Sequence, residues 1–163
     1  VMLSFPALIG FLCITQFLGR QDLFILCLVI AIFIWPPFSR VARATALSVS
    51  GKDFVTAARA IGTSTRRILF REIFPNVFPT LLAYGLVLLA TLVILESTLS
   101  FLGLGVEIPT ASWGGMINQG RQDLLINIWP PIWPAATLLM TVFSFNNLAD
   151  WLQKQAASRS AAI

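Results

Sequence analysis

A chain of 163 residues, 57% of them hydrophobic and 11% charged, has a mean hydropathy of +0.84 and a net charge of +4. Soluble domains carry about 25% charged residues, so the composition speaks for membrane spans and leaves a buried soluble helical core as the weaker alternative. Histidine is absent, and neither a G-x-x-x-x-G-K-[ST] phosphate loop nor a pair of intramembrane acids occurs, which argues against an enzyme and against catalysis of any familiar kind.

In chain order, residues 1–19, 23–38, 77–95 and 124–149 are free of charge and are the predicted spans. A helix needs about 17–25 apolar residues to cross the hydrocarbon core. The second run is short, with Trp35 and the prolines after it placed at the interface. The fourth is too long for one simple span, so its Pro-rich start is expected at the outer surface. Cys13 and Cys27 both fall inside predicted spans and read as small packing residues, neither a disulfide framework nor a metal site. The chain opens on Val1 inside a hydrophobic run, without a charged leader, and is expected to be a piece of a longer membrane protein.

Charge sets the expected orientation. Nine of the eleven basic residues lie in 39–72 or after Trp151: Arg40, Arg43, Lys52, Arg59, Arg66, Arg67, Arg71, Lys154 and Arg159. Basic loops stay on the cytoplasmic side, so the chain is expected to run in, out, in, out and end inside. Nucleic-acid binding, the competing reading of a basic chain, would need a stripe on a soluble face, and these charges flank spans instead.

Between the second and third spans, residues 50–75 form the most informative stretch. Ser50 and Asp53 fit an S-x-x-D cap, and Phe54, Ala58 and Ile61 recur as one apolar stripe of a short helix. Thr56, Arg59 and Ala60 lie off that stripe. Gly62 is the expected left-handed terminator. Thr63 and Ser64 offer a second cap, Ile68, Leu69 and Ile73 mark the apolar face of a second helix, and Pro75 is expected to break it. From residues alone this is either an amphipathic helix lying on lipid or a docking element.

Ala57-Ala58, Gly62 and Pro75 stand at the spacing of the EAA loop, and this segment resembles the loop of that name in the membrane subunits of binding-protein-dependent ABC importers. Thr56 replaces the usual glutamate, Glu72 occupies an often aliphatic position, and Phe74 replaces the usual leucine. WPPFSRVARA before the loop, ESTLSFLGLGVEIPTASWGGMI after it and the late FNNLADWL are similar to the dipeptide/oligopeptide/nickel class of permeases. The resemblance implies an all-α, polytopic fold of about four transmembrane helices with a cytoplasmic coupling helix, as in a type I ABC importer permease. Residues 1–163 would form one permease domain, its C-terminal portion, lacking roughly the first two of six spans.

The resemblance further implies a subunit of an ATP-driven importer forming half of a path for peptides or a related solute such as nickel, in a bacterial or archaeal cytoplasmic membrane. Its partners would be membrane lipid, a second homologous permease, an extracytoplasmic solute-binding protein and two cytoplasmic ATPase subunits holding ATP and Mg. Phe54, Thr56, Ala57, Ala58, Arg59, Ala60, Gly62 and Pro75 would couple to an ATPase. Glu96, an acid embedded in a long apolar run, is a path candidate by default, with Ser97 and Ser100 beside it. The alternative is a structural hydrogen bond to a neighbouring Ser or Thr. Asn146 and Asn147 invite the same choice, with interhelical bonding favoured. In the outer loop, 103–130, Trp113 and Gly114 mark a docking surface for the binding protein or an ordinary connection. Trp129 to Trp133 reads as an interface anchor. Rival readings are a truncated relic that transports nothing and a passive channel or scaffold.

Overall fold

An α-helix closes its backbone hydrogen bonds within one segment, which suits a chain this apolar. The computed structural model describes residues 23–105 and 110–161, and among them no strand occurs. The first predicted span, Cys13 and the Arg20–Asp22 loop lie outside the described residues.

The first described helix, α1, runs Leu23–Ser50 and carries Cys27 on an exposed position. It passes straight through Pro36 and Pro37, where the sequence suggested an end near Phe38. The Ala-rich segment beyond the prolines favours helix. Hydroxyls near its end return to the ladder: Thr45 Oγ1 donates to the Val41 carbonyl at 2.9 Å and Ser48 Oγ to the Thr45 carbonyl at 2.8 Å. Ser50 Oγ donates to the Leu47 carbonyl at 2.8 Å. It therefore closes α1 instead of capping the next helix. That helix, α2, spans Asp53–Ala60 with Lys52 at its N-cap and no side-chain cap.

Next come α3 (Thr65–Ile68), a π-turn (Leu69–Ile73) and α4 (Phe74–Phe101). Ser64 takes the extended backbone of an N-cap, yet its side chain bonds nothing there. These three pieces form one uninterrupted helix, Thr65–Phe101, so Pro75 does not break it. The π-turn is the reason. Its wider i→i+5 ladder absorbs the proline that lacks an N–H, and Asn76 Nδ2 adds a bond to the Glu72 carbonyl at 2.7 Å.

Among the described residues, Thr65–Phe101 is the helix long and apolar enough to cross a membrane, and only 17% of its most apolar window is buried. A core helix of a soluble protein would be covered by its own chain. Beyond α4, α5 (Trp113–Gly120) and a 3₁₀ turn (Arg121–Asp123) lie inside what the sequence read as an outer loop. Leu124–Ile128 is exposed and non-helical, and α6 runs Trp129–Ala161. Pro130 and Pro131 occupy its first turn, where a missing N–H costs least. Pro134 lies inside the helix.

Contacts divide the chain into two units: Val1–Pro36 with Leu88–Phe145, and Pro37–Val87 with Asn146–Ile163. Among the described residues, the second unit holds nine basic residues and the first only Arg121. In the second unit, Phe38 stacks on Tyr84 with ring centroids 6.1 Å apart, and Gly85 faces the Phe38 ring. In the first, backbone meets backbone at Gly114, where a Cβ would overlap the Ser97 carbonyl.

These two glycines give opposite expectations. Gly114→Ala forces helices apart and should lower stability by about 1–3 kcal/mol or more. Gly85→Ala meets Phe38 at an ordinary 3.9 Å and should be neutral or slightly stabilising. Thermal unfolding of the two detergent-solubilised variants checks both.

Candidate functional site

In the second unit, α2 is short, with Asp53 in its first turn and Arg59 in its last, each complementing the helix dipole. Val55 is fully buried and anchors it. Phe54 and Ala58 are half-buried, and Ile61 is 82% exposed. The expected Phe54–Ala58–Ile61 stripe is thus only partly the inner face; Val55 carries it. Thr56, Ala57, Arg59 and Ala60 are all exposed, so the outer face is made of small residues with Arg59 beside them.

The end of α2 is closed by a Schellman motif. Thr63 N–H donates to the Ala58 carbonyl at 3.1 Å and Gly62 N–H to the Arg59 carbonyl at 3.0 Å. Gly62 has φ +78, as the sequence predicted, and a Cβ there would meet nothing within 4 Å. Glycine is required by the backbone angle and not by crowding. From this turn the chain enters the long helix that carries Pro75, so α2 is tied to α4 by one turn and one continuous helix.

The first unit brings together Glu96, Ser97 and Ser100 at the end of α4. Ser100 Oγ donates to Glu96 Oε1 at 2.6 Å, and Ser97 Oγ reaches Oε2 at 3.4 Å. Both serines are buried and Glu96 is half-buried. The structural alternative for Glu96, a bond to neighbouring hydroxyls, is therefore realised. A second Schellman motif ends α4: Leu104 N–H donates to the Leu99 carbonyl at 2.9 Å, Gly103 N–H to the Ser100 carbonyl at 3.1 Å, and Gly103 has φ +79. The chain then turns so tightly that a Cβ on Gly105 would overlap Ser100.

On α5, Ser112 Oγ caps the helix by accepting from Gly115 N–H at 3.1 Å. Trp113 is half-buried and Gly114 buried, the latter against Ser97, so α5 is clamped beside the Glu96 cluster. Sequence reasoning treated Gly114 as surface; only the packing shows that it must be small. Arg121 lies over the Phe101 ring, 5.3 Å from its centroid. Trp129 stacks on Trp133, both exposed. Asn146 and Asn147, in the second unit, are exposed.

Residues 1–161 match the family model described as binding-protein-dependent transport system inner membrane component. The chain belongs to that family. It is 33% identical over 153 residues to the oligopeptide transport system permease protein OppC of Salmonella typhimurium, covering 94% of this chain and 50% of the relative. The same identity and coverage hold for the glutathione transport system permease protein GsiD of Escherichia coli. OppC of Haemophilus influenzae is 33% identical as well, with 49% of its length covered. The chain spans about half the length of the curated relatives it matches. An all-α permease fold follows from this membership, in agreement with the described helices.

The closure at Gly62 is open to a direct check. Gly62→Ala should cost about 1–2 kcal/mol through its left-handed angle, and Gly62→Asn less, since Asn tolerates that region. Equal melting temperatures for native, Ala and Asn forms would show that the angle is not a constraint.

Proposed function

We propose that this chain is a permease subunit of an ATP-driven, binding-protein-dependent importer and forms half of a translocation path for peptides. The observation that carries this reading is the shape of α2: a helix anchored by Val55, sealed at Gly62, and exposing Thr56, Ala57, Arg59 and Ala60. Such a face lets another protein approach the helix backbone closely, and the stiff connection to α4 carries movement into the span. The docking partner would be a cytoplasmic ATPase subunit, one of a pair holding ATP and Mg, with a second permease completing the path and a solute-binding protein delivering cargo outside.

The clustering of nine basic residues in the unit that contains α2 supports a cytoplasmic location for it and a cytoplasmic C-terminus. It supports, with the four apolar runs, a multi-pass arrangement. Peptide is preferred to nickel as cargo because the relatives are named for oligopeptide and for glutathione, itself a short peptide. Glu96 and the serines that hold it are the path candidates of this chain, and Trp113 with Gly114 the outer docking candidates.

Energetics set a condition on the coupling. Driving a two-state equilibrium from 1:99 to 99:1 takes about 5.5 kcal/mol of differential binding. Burying one exposed side chain such as Ile61 contributes about 1.5–3 kcal/mol, so no single residue of α2 supplies the whole difference. Nucleotide then shifts the bundle because its two arrangements differ in affinity for the closed ATPase pair.

Ala57→Glu is the discriminating variant, since Ala57 is exposed whereas Ala58 is half-buried and a charge there would disturb the fold as well. Co-purification of the full-length protein with its neighbouring ATPase should fall at least tenfold in Ala57→Glu while membrane insertion is unchanged. An ATPase that binds both forms equally, or neither, removes α2 as the coupling element.

A further inference from the structure

The cytoplasmic end of the Thr65–Phe101 helix carries a feature that coupling does not use. Arg66, Phe70, Phe74 and Phe78 follow one another at four-residue intervals, and the π-turn at Leu69–Ile73 between the arginine and the later phenylalanines offsets the drift an α-ladder would accumulate. All four are exposed, Phe70 at 67%. The Phe74 and Phe78 rings touch, with centroids 5.5 Å apart, and form a ridge that Phe70 precedes by four residues. Leu82, the next residue at that spacing, is exposed too. Arg67 and Arg71, again four apart and exposed, flank the ridge. The inward side of this helix is occupied elsewhere: Ile68 and Val77 are buried, and Tyr84 and Gly85 face Phe38.

We infer that this ridge is a seat for anionic phospholipid of the cytoplasmic leaflet, with Arg66, Arg67 and Arg71 holding the headgroup and Phe70, Phe74 and Phe78 lying along the upper acyl chains. The inference rests on the orientation proposed above, but not on ATPase docking. Two observations favour lipid over a protein partner. The strip runs without a break from charged to aromatic to aliphatic residues along one helix, the same polarity sequence a phospholipid presents. The three arginines also lie where the apolar helix begins, the level at which juxtamembrane cations meet anionic headgroups. Aromatic side chains favour the same interfacial level.

The test uses the full-length protein, extracted in detergent from membranes and incubated with equal amounts of phosphatidylglycerol and phosphatidylcholine. Native mass spectrometry reads the lipids retained. The native protein should keep phosphatidylglycerol in preference to phosphatidylcholine, and each Arg→Gln change at 66, 67 or 71 should lower that preference about fivefold. Lys154→Gln, an exposed basic position on α6, should leave it unchanged. Equal retention by native and triple-variant proteins overturns the inference, and so does an equal loss in Lys154→Gln, which would mean bulk charge alone. If the triple variant instead keeps its lipid and sheds the ATPase, the ridge belongs to that partner and the lipid seat is wrong. A protein that binds no ATPase at all but shows the arginine-dependent preference upholds this inference while refuting the coupling proposal.

Discussion

The most apolar helix among the described residues is one that the chain itself leaves largely uncovered, and most other features follow from that. Without water around a helix, each backbone group must find a partner within the protein. Hydroxyls are spent on this: Thr98, Thr141 and Ser144 each return a hydrogen bond to the carbonyl four residues earlier, at 2.7–2.8 Å. Helix ends are closed in the same spirit. The glycine-centred closures at Gly62 and Gly103 satisfy carbonyls that would otherwise face an apolar medium or an incoming partner. Glu96, the embedded acid, is kept company by two hydroxyls placed one and four residues further along its own helix.

The distribution of charge gives the two units different characters. The unit containing α2 combines nine basic residues with three acidic ones, Asp53, Glu72 and Asp150. Arginines, alanines and phenylalanines are prominent among its exposed residues. The other unit is nearly free of charge among its described residues and is held by glycine-mediated contacts, Gly114 on Ser97 and Gly120 against Pro131. Small residues replace the hydrophobic effect as a means of bringing helices close, because apolar burial gains little where the solvent is itself apolar.

Much of the fold was legible from residue type alone. Gly62 was readable as a left-handed stop because positive φ has so few tenants, and the long third run of apolar residues became the core of the Thr65–Phe101 helix. Pro75 was misread, because a proline signals a lost donor but not how the surrounding ladder will absorb it. Pro36 and Pro37, read only as residues of the interface, are likewise absorbed within α1. Ser50 looked like a cap and turned out to bond backwards, a choice set by local backbone angles that spacing does not reveal. The role of Val55 was hidden by its neighbour Phe54, the larger and more conspicuous apolar residue. For the candidate sites, the pairing of Glu96 with Ser100 was available from their i, i+4 spacing. The need for glycine at 114 was not, since it depends on a helix distant in sequence.

The wide turn at Leu69–Ile73 fixes the azimuth at which the basic end of the long helix leaves its axis. In an unbroken α-helix, Arg66 and Phe74 would point about a quarter turn apart. One extra residue in the turn takes up most of that difference, bringing position 66 into phase with positions 74 and 78. A single residue of surplus thus acts as a phase setting between two rigid rods. Sequences that lost it could keep both rods, all three arginines and the same length of ridge, and still present their charge to the wrong side.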